Sequence, residues 1–227
     1  MSTAVPPPPP PPGAPLTPGV SGWYPARLEI AYPEQLNRVT TAFRLILVVP
    51  IAIVSSILTG AGTKNYYVHG TWVTTSASIT GGLFGATLLL ILFRQKYPRW
   101  WFDFALELTR FTTRIGAYVV LLTDKYPSTT EHQTVALALD YPDVAQDRNR
   151  GLPLVKWFLA IPHYVVLFFL GIGAFVSVIL AWFAILFTGR YPRELFDFVV
   201  GVARWALRVD AYAFLLVTDR YPPFSLR

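Results

Sequence analysis

The sequence predicts an α-helical membrane fold with a small β component, built as two tandem repeats, each running strand, transmembrane hairpin, interfacial amphipathic helix, strand. Three observations predict it. Apolar residues make up 53% of the 227 residues and charged residues only 14%, with a mean hydropathy of +0.44, against about 45–50% and 25% in soluble domains. The segment "FRQKYPRWWFDFALELTRFTTRIGAY" at 93–118 returns at 187–212 as "FTGRYPRELFDFVVGVARWALRVDAY", with eleven of twenty-six positions identical. Each copy directly follows a long apolar stretch.

Residues 1–23, "MSTAVPPPPPPPGAPLTPGVSGW", have neither a basic start nor an apolar centre, so they do not read as a cleavable signal. Proline runs favour extended polyproline II with no buried face, which makes this stretch a disordered tail that could dock a membrane or cytoplasmic protein partner.

Repeat one is expected over 24–127 and repeat two over 135–227. The likeness extends from "LLTDKYP" (121–127) to "LLVTDRYP" (215–222), from "LEIAYPE" (28–34) to "LALDYPD" (137–143), and from Pro50 to Pro162. Apolar and polar residues alternate at Leu28, Ile30 and Tyr32, and at Val135, Leu137, Leu139 and Tyr141, the period of a strand. Apolar helices follow at 42–60 and 79–94, and at 153–171 and 174–188. The first pair is joined by a polar outer loop over 61–78. The second is joined only by "GIG" at 171–173, compatible with a re-entrant hairpin. The stretches "AYVVLLTD" and "AYAFLLVTD" read as a second strand, with continuation of the preceding helix as the alternative.

The duplicated segment forms amphipathic helices over 98–116 and 192–210. Pro98 and Pro192 suit a first helical turn, where the missing N–H has no partner to lose. Asp103, Glu107, Arg110 and Arg114 share one face, as do Asp197, Gly201, Arg204 and Arg208. Four charges at the bilayer centre would cost about 10 kcal/mol on the insertion scale. A helix with this pattern lies more cheaply in the headgroup plane. With two spans per repeat, Lys64 would be the only one of the nineteen Lys and Arg on the far side. The positive-inside rule then places both termini in the cytoplasm of a multi-pass protein.

The arginine pairs Arg110/Arg114 and Arg204/Arg208 are candidate contacts for anionic lipid headgroups or a partner. His163 is the one histidine inside an apolar segment and a candidate intramembrane polar site. Tyr97, Pro98 and Asp103, with Tyr191, Pro192 and Asp197, are the repeated motif residues, and the Tyr-Pro pairs punctuate element boundaries. No phosphate loop, zinc motif or nucleophile elbow occurs, and there is no cysteine. No catalytic residue, metal, cofactor or nucleic-acid partner is therefore expected. The net charge of +6 reports topology in so apolar a chain.

The pattern "YP…FDF…R…R…AY…LLTD.YP", carried by Tyr97, Pro98, Phe102, Asp103, Arg110, Arg114, Tyr118 and Asp124 and by Tyr191, Pro192, Phe196, Asp197, Arg204, Arg208, Tyr212 and Asp219, resembles domain-of-unknown-function family 4389. The resemblance covers two tandem copies after residue 23. It implies a protein of the bacterial inner (plasma) membrane and brings no substrate, cofactor or catalytic residue. The function expected is a non-catalytic accessory or scaffold module with a cytoplasmic lipid- or partner-binding face. The alternative is a transporter or channel component for small molecules or lipids, using the bundle between the two hairpins.

Overall fold

The computed structural model describes residues 24–60, 62–77, 79–94, 96–128, 133–142 and 152–227. The tail 1–23 lies outside them. Strand β1 (Ala26–Ile30) pairs antiparallel with β4 (Val135–Leu139), so the two alternating runs meet each other across the chain. Leu28 faces Leu137, the residue the sequence aligns with it. Ala26, Leu28, Ile30, Val135, Leu137 and Leu139 are all buried, which turns one face of this ribbon into a core surface.

Helices α4 (Arg99–Val119) and α7 (Arg193–Ala213) cover that face. Along α7 the contacts follow β1 in reverse order. Arg208 lies by Tyr24, Arg204 by Leu28, and Phe196 by Tyr32. Along α4, Arg110 meets Leu137 and Phe102 meets Tyr141. The contacts thus come in matched sets, each helix gripping the strand from the other half of the chain.

The apolar helices form the next layer. The short α1 (Arg38–Ala42) is capped by the Asn37 side chain, which accepts from the N–H of Val39 and Thr40. It leads into α2 (Arg44–Thr59), which contains Pro50 and ends on the left-handed Gly60. Then β2 (Gly62–Val68) and β3 (Thr71–Ala77) form a hairpin, turning at His69 and Gly70, whose φ angles are 48° and 83°. Helix α3 (Ile79–Leu89) finishes in a π-helical turn, Leu90–Arg94.

In the second half, α5 (Leu152–Leu159) leads into α6 (Ile161–Thr188), one helix of 28 residues and about 42 Å. The expected turn at 171–173 is absent, and with it the separate helices 153–171 and 174–188. A helical glycine costs only about 1 kcal/mol relative to alanine, too little to break a helix packed along its length. Gly173 faces the Phe198 ring, which an added Cβ would touch at an ordinary 3.4 Å. Chain directions are opposed: His163 meets Trp205, while Gly173 meets Phe198.

The strands expected at 117–124 and 211–219 are likewise absent. Both amphipathic helices run three residues past their expected ends and turn at Leu121 and Leu216, each left-handed, with φ of 67° and 53°. Leu122 N–H donates to Ala117 O, and Val217 N–H to Ala211 O. Leucine is an uncommon choice for this turn; both are buried, at 2% and 0% exposure, which offsets the strain.

Candidate functional site

Two buried cations anchor the chain that follows each amphipathic helix. Lys156 is fully buried; its Nζ lies 2.6 Å from an Asp219 carboxylate oxygen, donates to Thr218 O at 2.6 Å, and stands 5.1 Å from the Tyr212 ring centre. Arg44 repeats the arrangement. It pairs with Asp124, donates to Tyr118 O and Thr123 O at 2.8 and 2.6 Å, and stacks 4.2 Å from the Tyr118 ring. Sequence reading named Asp124 and Asp219 as motif residues but missed their partners. The signal was there: each cation stands six positions before the proline of its apolar run.

The four candidate arginines are engaged within the protein. Arg110 Nε donates to Leu137 O and Arg204 Nε to Leu28 O, both at 2.9 Å. These bonds close the outer carbonyls of a two-stranded ribbon, which otherwise presents open edges. Arg110 also pairs with Glu107 at 2.5 Å. Arg114 Nη1 donates to Ser128 O at 2.7 Å and Arg208 Nη1 to Ser225 O at 3.2 Å. Burial and the neighbouring Arg204 lower the pKa of Arg208, against a smaller opposing effect of Tyr24.

The motif tyrosines are buried and the prolines precede α4 and α7 with φ of −58°. Tyr141 OH donates to Tyr97 O, and Tyr32 OH to Tyr191 O at 2.5 Å. Arg99 and Arg193 stand over the Tyr141 and Tyr32 rings at 5.2 and 4.5 Å. Asp103 is exposed, and exposed Asp197 forms only a 3.6 Å pair with Arg193. Such pairs contribute little.

His163 is fully buried against α7 and the C-terminal segment. Its Nδ1 accepts from Trp205 Nε1 at 3.0 Å, which places the proton of the neutral ring on Nε2. Phe224 stacks on it at 4.0 Å and Tyr221 lies at 4.8 Å. Leu226 closes the same segment over Gly201, where a Cβ would come within 2.9 Å of it. Gly201 thus has a steric role that its partner position, exposed Glu107, lacks.

A cavity of about 110 Å³ lies where α2, α3, α4 and α7 converge. Asp210 is its acidic residue, and burial pushes that carboxyl up to about 6. Gly116 holds the matching place in α4. No group of three or more His, Cys, Asp or Glu with metal-binding placement occurs among the described residues.

These features define a mostly helical protein with a two-stranded ribbon at its core and, among the described residues, one helical stretch, Leu152–Thr188, long and apolar enough to cross a membrane. Residues 153–225, about a third of the chain, match the family model described as "Domain of unknown function (DUF4389)". That match covers one copy of the pattern. No curated protein and no solved structure matches the chain significantly.

Proposed function

We propose that this chain is a non-catalytic scaffold embedded in a bacterial inner membrane, made of two tandem copies of one unit. Its ribbon side and the segment 1–23 face the cytoplasm and bind a partner protein. The observation that carries its membrane seat is a continuous exposed apolar face. Along α6, Val165, Phe168, Phe169, Ile172, Phe175, Val176, Ile179, Leu180, Phe183 and Phe187 are all exposed, over about 33 Å. On α2, Leu45, Ile46, Val49, Ile53 and Ile57 are exposed as well. A soluble monomer rarely leaves so continuous an apolar surface in water.

The paired contacts support the two-copy reading. Arg110 and Arg204, Tyr141 and Tyr32, Lys156 and Arg44 each repeat one role at positions the sequence aligns. The arrangement of layers supports a particular seat in the bilayer. Helix α6 packs along α7, its start beside Trp205 and its end bonded to Leu36 through Gly189 O. With both ends tied to one layer, α6 follows α7 along the plane of a leaflet, its exposed apolar side toward the acyl chains. This seat replaces the crossing hairpin expected for 153–188.

Headgroup contact then falls to the exposed basic residues around the two Tyr-Pro entries, Arg94, Lys96 and Arg99, and Arg190 and Arg193. Of the four amphipathic-helix arginines, Arg110 and Arg204 hold the ribbon, and Arg114 and Arg208 hold the segments that follow α4 and α7.

Affinity purification in mild detergent, with and without residues 1–23, tests the scaffold. A stoichiometric protein partner is expected with the full chain and is lost on truncation. Solute flux into proteoliposomes that disappears in His163→Ala would favour the transporter reading over this one.

A further inference from the structure

The cavity between α2, α3, α4 and α7 belongs to neither the ribbon nor the apolar face, and its chemistry is one-sided. Thr59, Thr109 and Thr112 line it, and each hydroxyl donates its hydrogen to a carbonyl of its own helix: Ser55 O at 2.8 Å, Ala105 O at 2.7 Å and Leu108 O at 3.0 Å. Tyr97 OH donates to Leu215 O at 3.2 Å. A hydroxyl has one hydrogen and two lone pairs, so these oxygens can offer a ligand only acceptors. Thr87 differs: its oxygen accepts from Trp101 Nε1 at 2.8 Å, and its own O–H is a donor the lining also offers.

Asp210 adds the charge. No Lys, Arg or His lines the cavity, and burial is what acts on this carboxyl. The remaining wall is apolar, with Leu83, Leu108 and an edge-to-face contact between Phe84 and Phe214, centroids 5.9 Å apart. A half-buried carboxylate lined mainly by acceptors and hydrocarbon fits one kind of guest. It must carry a positive charge, several N–H donors and a short apolar stem.

We propose that this cavity binds a primary ammonium group, with Asp210 as its counter-ion and the threonine oxygens of α4 accepting its hydrogens. Two sources share that chemistry, the headgroup of an aminophospholipid and a free short-chain amine. Volume suits either, since about 110 Å³ exceeds the space of a single water.

Asp210 sets the pH response. Tyr97 at the entry to α4 and Tyr164 of α6 are the titratable groups that face it, and α2, α3 and α4 bring none to the lining. Burial raises this carboxyl to about 6, so its charged fraction grows as pH rises through that range and binding strengthens on the alkaline side.

Thermal unfolding of the full chain in detergent tests this, with ethylammonium chloride as probe. Sodium chloride at equal ionic strength and tetramethylammonium, which has no N–H, serve as controls. At pH 8 ethylammonium is expected to raise the midpoint by about 2–4 °C at several times its Kd. The rise should be lost at pH 5 and in Asp210→Asn. Should Asp210→Asn not fold, Thr112→Val in its place is expected to shrink the rise. An equal rise with tetramethylammonium or sodium, or none with any cation, overturns the proposal. Nanodiscs then separate the sources. In phosphatidylethanolamine the added amine loses its effect if the headgroup already fills the cavity, and in phosphatidylcholine it keeps it. An unchanged effect in both assigns the site to free amines.

Discussion

Lys156→Met is expected to destabilise the protein by about 3–5 kcal/mol, because it strands a carboxylate inside the fold. Nothing exposes the lysine to water, and Asp219 is only 16% exposed. The pair also holds the segment 214–222 against α5 through Thr218 O. Removing the cation alone leaves that charge without its lysine, whereas removing both charges avoids the penalty. Lys156→Met with Asp219→Asn should therefore recover about half of the loss, a coupling typical of residues in one network. Denaturant titration of the full chain in detergent measures both. A loss below about 1 kcal/mol in the single variant would mean that the pair is not holding the fold.

Arg204→Met is expected to cost about 1.5–3 kcal/mol, the range for a hydrogen bond made by a charged group, and Arg110→Met about the same. Each arginine donates through Nε to a carbonyl of the strand from the other half of the chain. Lysine has no equivalent planar fork, so Arg204→Lys should rescue little. Hydrogen exchange gives the specific readout. Amides of Ala26–Ile30 should exchange faster in Arg204→Met, and those of Val135–Leu139 in Arg110→Met. Uniform acceleration over the whole chain would instead indicate general unfolding.

Much of this body could be read in the residues. Amphipathic spacing located α4 and α7 to within three residues, since their charged and aromatic faces separate cleanly at a helical period. Alternation likewise located β1 and β4. It could not say that they pair with each other, because pairing is a long-range property that no local pattern carries. The hairpin at 62–77 was legible and passed over. Its β-branched and aromatic residues flank His69-Gly70, a two-residue turn with Gly in its second place.

Helix α6 defeated sequence reading for a different reason. A continuous apolar run has no periodicity to mark its ends, and "GIG" carries a turn signal that packing overrides. The four arginines were found, and the structure adds protein partners that their spacing did not show. A guanidinium can bond a backbone carbonyl as well as a phosphate, and composition cannot say which lies within reach. Asp210 escaped notice because its charge looks like part of a polar face, and only the convergence of four helices makes it a cavity residue.

Depth in the bilayer tests the central claim most directly. Spin labels at Val165, Ile172, Ile179 and Phe187, on the exposed face of α6, can be compared in nanodiscs for collision with oxygen and with a polar nickel complex. The layered body predicts one shared depth within a single leaflet for all four. A steady progression from one interface through the bilayer centre to the other would contradict it and make α6 a transmembrane span.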